Sequence, residues 1–400
     1  MKSKIAKIIS SKSILIFAIL LFALNFVSKL CKEVFSMSAS FYPSTVLKLL
    51  AVLLLGIYFI TFLRKDKLAK YVYILVGVFL IDVLIKVFNQ EAFSVIIGKS
   101  YFFSKLIFFF LLIIAIRGFK KESLEKTINV LFLIAKINLI FIVIGFLFKI
   151  DIFKSYPYTI RFGFNGIISE PGISSYFYML LAIAAYLKYI YKKGSLINLL
   201  LICIGVFFLG TKSGLLFLAI LAFIHILILL KKNIYRFSFV AALIISFVVL
   251  KDKIITLAIN SFSFGPYIYE KHGLMTFITS KRDLLFKDAI AYIQEHWNAL
   301  NYVIGGIDLK MHRVEFEFVD IFLFLGITGV LIYIIILKKV FFQKKQDWLY
   351  IVLFLTIILI SSLGGNLFFS ITNAFFFAVV FLYLRGINTV EEEPVKNIPK

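Results

Sequence analysis

A chain of 400 residues that is 62% hydrophobic, 18% aromatic and only 16% charged is not a soluble globular domain, because such domains run nearer half apolar and a quarter charged. Its net charge of +23, from 44 basic and 21 acidic residues, is scattered between apolar runs and forms no continuous patch. That pattern excludes nucleic acid as a partner and points to the loops of an all-α, polytopic membrane protein.

The first apolar run follows MKSKIAKIISSK. It carries no small-residue cleavage site and is long enough to span, so it reads as a first helix and not a signal peptide. Twelve spans are predicted, near 13–30, 43–63, 71–88, 101–116, 127–148, 170–190, 196–210, 214–230, 237–250, 316–337, 348–363 and 367–384, each close to the roughly 20 residues that cross a bilayer. The short loops dense in Lys and Arg are the N-terminus, 64–70, 117–126, 188–193, 231–236, 338–345 and the tail with Arg385. The positive-inside rule assigns them to the cytoplasm with both termini, and the chain to the cytoplasmic (inner) membrane. Four parts follow: nine spans in 1–250, an extracytoplasmic loop at 251–315, three spans in 316–386 and a polar cytoplasmic tail at 387–400. Inside the long loop, SKRDLLFKDAIAYIQEHWNAL reads as an amphipathic helix with Leu285, Ala289, Tyr292 and His296 on one side. It is expected to lie on the outer membrane surface and roof a cavity.

Chemistry-bearing residues on the outer side gather in four places. Arg161 precedes Asn165 and the Ser169-Glu170-Pro171-Gly172 start of the sixth span, where Ser169 suits the cap, Pro171 the first turn, and Glu170 the positive end of the helix dipole. Lys212 sits in a tight turn, Gly210-Thr211-Lys212-Ser213-Gly214. Lys281 and Arg282 open the amphipathic helix, and free amides beside two cations favour an anion. Last, His312 to Asp320 pack five ionisable groups into nine residues at the mouth of a span. Carboxylates there are costly unless they face water, a cation or a substrate. On a helix Glu315 and Glu317 point to different sides, while His312 and Glu315 share a face as a general-base pair. Cys31 and Cys203 are far apart, and His225, His272, His296 and His312 show no paired spacing, so neither a disulfide framework nor a protein-built metal site is expected.

These motifs, in this order, resemble the O-antigen polymerase (Wzy) and O-antigen ligase superfamily, within it the exopolysaccharide and capsule repeat-unit polymerases. The matching stretches are IISEPGISSYFYML, LGTKSGLLFLAI, TSKRDLLFKDAI, Ile304-Gly305-Gly306, VEFEFVDIFLFLGITGVLIY and, more weakly, GGNLFFSI, spread over about residues 160 to 370. The chain departs from the family pattern at Gly172, Lys212, Glu317 and Asn366, where Ser, Arg, Asp and His are usual.

The resemblance implies a GT-C-type membrane glycosyltransferase with neither cofactor nor metal. It would join polyprenyl-diphosphate-linked oligosaccharides on the outer face of the membrane, beside lipid and alongside a chain-length regulator and a flippase of the same pathway. Arg161, Arg282, Lys212, Lys281 and Arg313 would hold diphosphate, with Glu315, His312 or Glu170 acting on the acceptor hydroxyl. A glycan ligase of the same fold, or a lipid-linked oligosaccharide flippase or other transporter, is the alternative reading.

Overall fold

A computed structural model describes residues 10–35, 37, 42–157, 161–262, 265–342 and 347–385, and among these all regular structure is helical apart from one isolated bridge between Lys154 and Phe164. The tail 387–400 lies outside the described residues.

Fifteen helices follow in chain order among the described residues. They are α1 (Ser11–Glu33), α2 (Pro43–Tyr58, prolonged by a π turn at Phe59–Leu63), α3 (Ala69–Phe88), α4 (Phe93–Ile116), α5 (Lys121–Phe148), α6 (Pro171–Ile190), α7 (Leu196–Phe208), α8 (Lys212–Leu229), α9 (Asn233–Asn260), α10 (Gly265–Thr279), α11 (Arg282–His296), α12 (Ala299–Ile304), α13 (Glu317–Phe341), α14 (Trp348–Gly364) and α15 (Ile371–Arg385). Eight of them, α1 to α6, α8 and α13, are long and apolar enough to cross a membrane, and α7, α14 and α15 are shorter apolar helices. The helices start where local chemistry lets them. Ser10 and Ser13 form a capping box on α1, Ser195 and Thr211 cap α7 and α8, and Asp347 caps α14; each side chain satisfies an amide that the first turn leaves without a partner.

The centre is held by α6 and α15, whose side chains are buried almost end to end. α6 buries 83% of its apolar stretch and α2 only 11%, which sorts hub from periphery. Apolar side chains exposed on α2, α3 and α9 suit helices that face lipid. In lipid the hydrophobic effect does not drive helices together, so close packing and internal polar bonds must. Gly205 illustrates the first, since a Cβ there would lie 2.3 Å from the Tyr178 ring of α6. The second is carried by Tyr178, whose hydroxyl donates to Ala135 O (2.8 Å) and accepts from Asn138 (3.1 Å).

Polar fasteners also mark the two ends of the bundle. At one end the Lys29 ammonium donates to Asn165 Oδ1 (2.7 Å), Gly166 O (2.7 Å) and Ile168 O (3.1 Å), and Tyr176 donates to Gly365 O (2.8 Å). At the opposite end Arg117 meets Asp66 at 2.5 Å, and Arg385 donates to Val340 O (2.7 Å) and Arg117 O (3.0 Å).

Several expected boundaries shift. α4 begins at Phe93 rather than 101 because Lys99 is buried in an ion pair with Asp82 and donates to Gly306 O (2.9 Å); a charge that looked like loop lies inside. α9 continues to Asn260, ten residues past its expected end, and the 251–315 stretch holds three further helices, α10, α11 and α12. Two glycines carry positive φ at one crossing: a Cβ on Gly326 (φ +63°) would lie 2.3 Å from Val303 O, and one on Gly305 (φ +80°) 2.4 Å from the Phe324 carbonyl carbon. α12 and α13 touch there backbone to backbone.

Candidate functional site

The charged stretch before α13 is not helical, and this decides the role of each carboxylate. Residues 313–316 have no regular structure and lead into Glu317, the first residue of α13. Glu315 itself has φ +64°, a left-handed conformation that costs a non-glycine residue about 1–2 kcal/mol. Asp320 holds it there, accepting from Val314 N (2.9 Å) and Glu315 N (3.1 Å) and pairing with Arg313 Nε (3.4 Å). Glu317, fully buried, accepts from the backbone amides of Leu367 (2.8 Å), Phe368 (2.5 Å) and Phe369 (3.1 Å). Glu317 and Asp320 are therefore internal fasteners, and Glu315 alone turns outward.

Two expectations change here. Glu315 and Glu317 do not project from two sides of one helix, because Glu315 precedes the helix. Nor do His312 and Glu315 share a face: the His312 ring lies against Tyr292 at 4.4 Å, while Glu315 Oε2 meets Arg282 Nη2 at 3.0 Å.

Arg282, at the start of α11, is the centre of a cation group. Its Nη1 donates to Thr279 O (3.3 Å), and its Nε is buried without a hydrogen-bond partner among the described residues. Arg161 lies over the Tyr156 ring at 3.8 Å and the Phe262 ring at 5.1 Å and donates to Gly210 O (3.2 Å). Burial pulls its guanidinium below the ordinary arginine range, and the same burial pushes the Tyr156 hydroxyl up although Arg161 and Arg282 both pull it down. Lys212, the first residue of α8, donates to Phe277 O and to Ser280 Oγ (3.3 Å) and sits over the Phe277 ring at 4.0 Å; Arg161 and Arg282 both lie within its electrostatic reach. Gly210 (φ +63°) lets this turn press on the 161–164 segment, since a Cβ there would lie 2.1 Å from Phe162 O. Arg161, Lys212 and Arg282, three cations from distant parts of the chain, thus converge with one carboxylate, Glu315.

The remaining candidates lie beside this group. Glu170 takes the N-cap position of α6 without a side-chain cap bond, correcting the assignment of Ser169 to that place, while Pro171 opens the helix as expected. Glu170 is exposed and in electrostatic reach of Lys48, Lys105 and Tyr101. Arg313 Nη2 donates to Asn366 Oδ1 (2.6 Å), and Arg313 is in reach of Lys105. Lys281, left-handed at φ 72°, is exposed; its backbone N–H donates to Thr276 O (3.0 Å), while its side chain makes no hydrogen bond or ion pair among the described residues. Lys48 and Lys105 escaped the sequence reading; the signal was a lysine within an apolar run, which is seldom idle.

α11 and α13 enclose a groove of about 510 Å³ whose walls are wholly apolar. From α11 come Phe286, Ala289, Ile290 and Ile293, so the inward face is rotated from the expected Leu285 and Tyr292. Leu285 is 42% exposed, because only the rotated face meets Phe318 and Phe322. Phe286 contacts the Phe316 ring at 6.4 Å, bringing the groove within one residue of Glu315. Among the described residues no three His, Cys, Asp or Glu side chains gather into a metal-ligand set. The arrangement can hold a polyanion at the three cations and an apolar chain in the groove, with one carboxylate at their junction.

Compared with family models, with curated proteins and with solved structures, the chain matches none.

Proposed function

We propose that this protein is a GT-C-type glycosyltransferase of the cytoplasmic membrane that polymerises polyprenyl-diphosphate-linked oligosaccharide repeat units into a surface polysaccharide. In this reading the eight long helices, the three shorter ones and α9 make twelve spans. The termini lie in the cytoplasm, and the end with Arg282 faces outward. The observation that carries the reading is the placing of the Arg282–Glu315 pair beside Arg161 and Lys212, at the mouth of an apolar groove. An anionic headgroup on a long hydrocarbon chain is the ligand that needs both halves.

The chemistry follows from these parts. The acceptor hydroxyl oxygen attacks the anomeric carbon of the donor glycan, and the bond from that carbon to the diphosphate oxygen breaks. The diphosphate leaves with the bonding pair, held by Arg161, Lys212 and Arg282, whose charge offsets what develops on it. The acceptor proton passes to Glu315, which Arg282 releases as it turns to the diphosphate. The products are a lengthened lipid-linked glycan and polyprenyl diphosphate. Asp320 and Arg313 position Glu315 and its backbone; they are not assigned to the reacting atoms. The test is reconstitution of the purified protein with lipid-linked repeat units and electrophoresis of the products. A ladder of lengthened glycans is expected; units that stay single with the intact protein, under conditions where they bind, would sink the proposal.

A further inference from the structure

A second cavity, of about 290 Å³, opens at the other end of the bundle, between α5, α6 and the turn into α7. Lys136, Lys188 and Lys193 line it, together with Asn129, Asn198 and Ser195. Its place is fixed by Lys188, which sits over the Tyr383 ring at 5.2 Å near the end of α15 and two residues from the end of α6. That is the end marked by Arg117 and Arg385, remote from Arg282.

The charge in this cavity is not balanced. Lys188 is 3.9 Å from Glu125 and 3.5 Å from Asn129 Oδ1. Neither Lys136 nor Lys193 has an ion pair or side-chain hydrogen bond among the described residues. Lys136 lies fifteen residues into α5, about 22 Å along its axis, inside an otherwise apolar run. A half-buried, unpaired lysine within an apolar helix is expensive unless a counter-ion or water meets it. The other walls are apolar: Phe132 and Leu133 line the cavity, and Leu133 is 56% exposed on the flank of α5.

We infer that this cavity binds a phosphate group, supplied by an anionic phospholipid whose headgroup enters between α5, α6 and α7. Lys136, Lys188 and Lys193 contact the phosphate oxygens, the Asn129 and Asn198 amides donate to the headgroup, and the acyl chains run along Leu133. Basic pockets between membrane helices recognise such headgroups in this way. A soluble phosphate offers the same charge without the chains. The site is independent of the glycan reading and needs only that the helices lie in a bilayer.

The experiment uses the full chain purified in a neutral detergent and followed by native mass spectrometry and by its thermal midpoint. Phosphatidylglycerol, phosphatidylcholine and inorganic phosphate are titrated separately into wild type, Lys136→Gln/Lys193→Gln, Lys136→Arg, and Lys231→Gln/Lys232→Gln as a surface-charge control. Phosphatidylglycerol should bind and raise the midpoint, the first variant should weaken it at least tenfold, and Lys136→Arg and the control should behave as wild type. Equal stabilisation by inorganic phosphate, lost in the same variant, keeps the phosphate site and assigns it a soluble ligand. A Lys136→Gln/Lys193→Gln protein that keeps the wild-type midpoint without lipid yet binds phosphatidylglycerol as tightly as wild type overturns the inference. So does phosphatidylglycerol binding no better than phosphatidylcholine in the wild type.

Discussion

Arg282 and Glu315 stand 33 residues apart in sequence and meet at 3.0 Å, tying the first turn of α11 to the irregular segment that leads into α13. Their side chains are 23% and 40% exposed, and a pair so open to water contributes only about 0.2–1 kcal/mol to stability. Glu315→Gln and Arg282→Ala should therefore leave the thermal midpoint in detergent nearly unchanged. Removing one preorganised charged group from a reacting site typically costs about 10²–10³ in rate, and glycan extension should fall by that much. A variant that extends glycan at the wild-type rate would remove its residue from the site.

Glu317 should behave in the opposite way. Glu317→Ala leaves three buried amides, those of Leu367, Phe368 and Phe369, without an acceptor, and each such group costs about 1–3 kcal/mol. The expected loss of several kcal/mol would appear as a much lower thermal midpoint and faster proteolysis. Wild-type stability with lost activity would mean that Glu317 acts on substrate.

Lys99 and Asp82 form a buried ion pair between α3 and α4. Asp82→Asn alone strands the ammonium, and breaking one side of such a pair costs about 3–5 kcal/mol. The double replacement Lys99→Met/Asp82→Leu should recover most of it, save for the bond to Gly306 O. Double-mutant thermal unfolding measures the coupling; additive effects would contradict it.

Gly326→Ala meets Val303 backbone at 2.3 Å in a conformation with φ +63°. Strain and backbone clash together should destabilise by about 3 kcal/mol or more, whereas Gly98→Ala, with open space around it, should be neutral. Similar expression and thermal midpoints for the two would contradict the close crossing of α12 and α13.

Asp283 makes the turn from α10 to α11 sensitive to acid. Desolvation raises its carboxyl, but hydrogen bonds from the Thr276 and Thr279 hydroxyls and from the Leu284 and Asp283 amides outweigh that and hold it below the usual carboxylate range. A carboxyl depressed on folding contributes stability above its unfolded pKa, near 3.8, and loses it as pH falls through the lower folded value. Hydrogen exchange of residues 276–284 should quicken on acidification below about pH 4, and Asp283→Asn should abolish that response. An unchanged response in the variant would place the titrating group elsewhere.

Much of the fold was legible because helices that cross lipid are written locally. An apolar run of the right length, bounded by Ser, Thr, Asp or Pro, needs no distant partner to be recognised, and α1, α6 and α8 begin close to where such residues stand. Buried charge is not written locally in this way. Lys99 looked like loop because its partner Asp82 and the Gly306 carbonyl are invisible along the chain. The inward face of α11 is set in the same way: its helical period allows neighbouring faces that share Ala289, and only α13 selects the one that adds Phe286, Ile290 and Ile293.

Composition and local spacing are enough to specify an all-helical chain with many membrane-length segments and the order in which its charged motifs occur. Which of the three carboxylates in six residues faces the cations was a tertiary decision. Glu317 is claimed by amides some fifty residues downstream and Asp320 by the backbone just before the helix, leaving Glu315 to Arg282. The meeting of Arg161, Lys212 and Arg282 was decided in the same way. No local rule sets the distance between residues so far apart; the packing of α8 and α10 to α13 around one end of the bundle does.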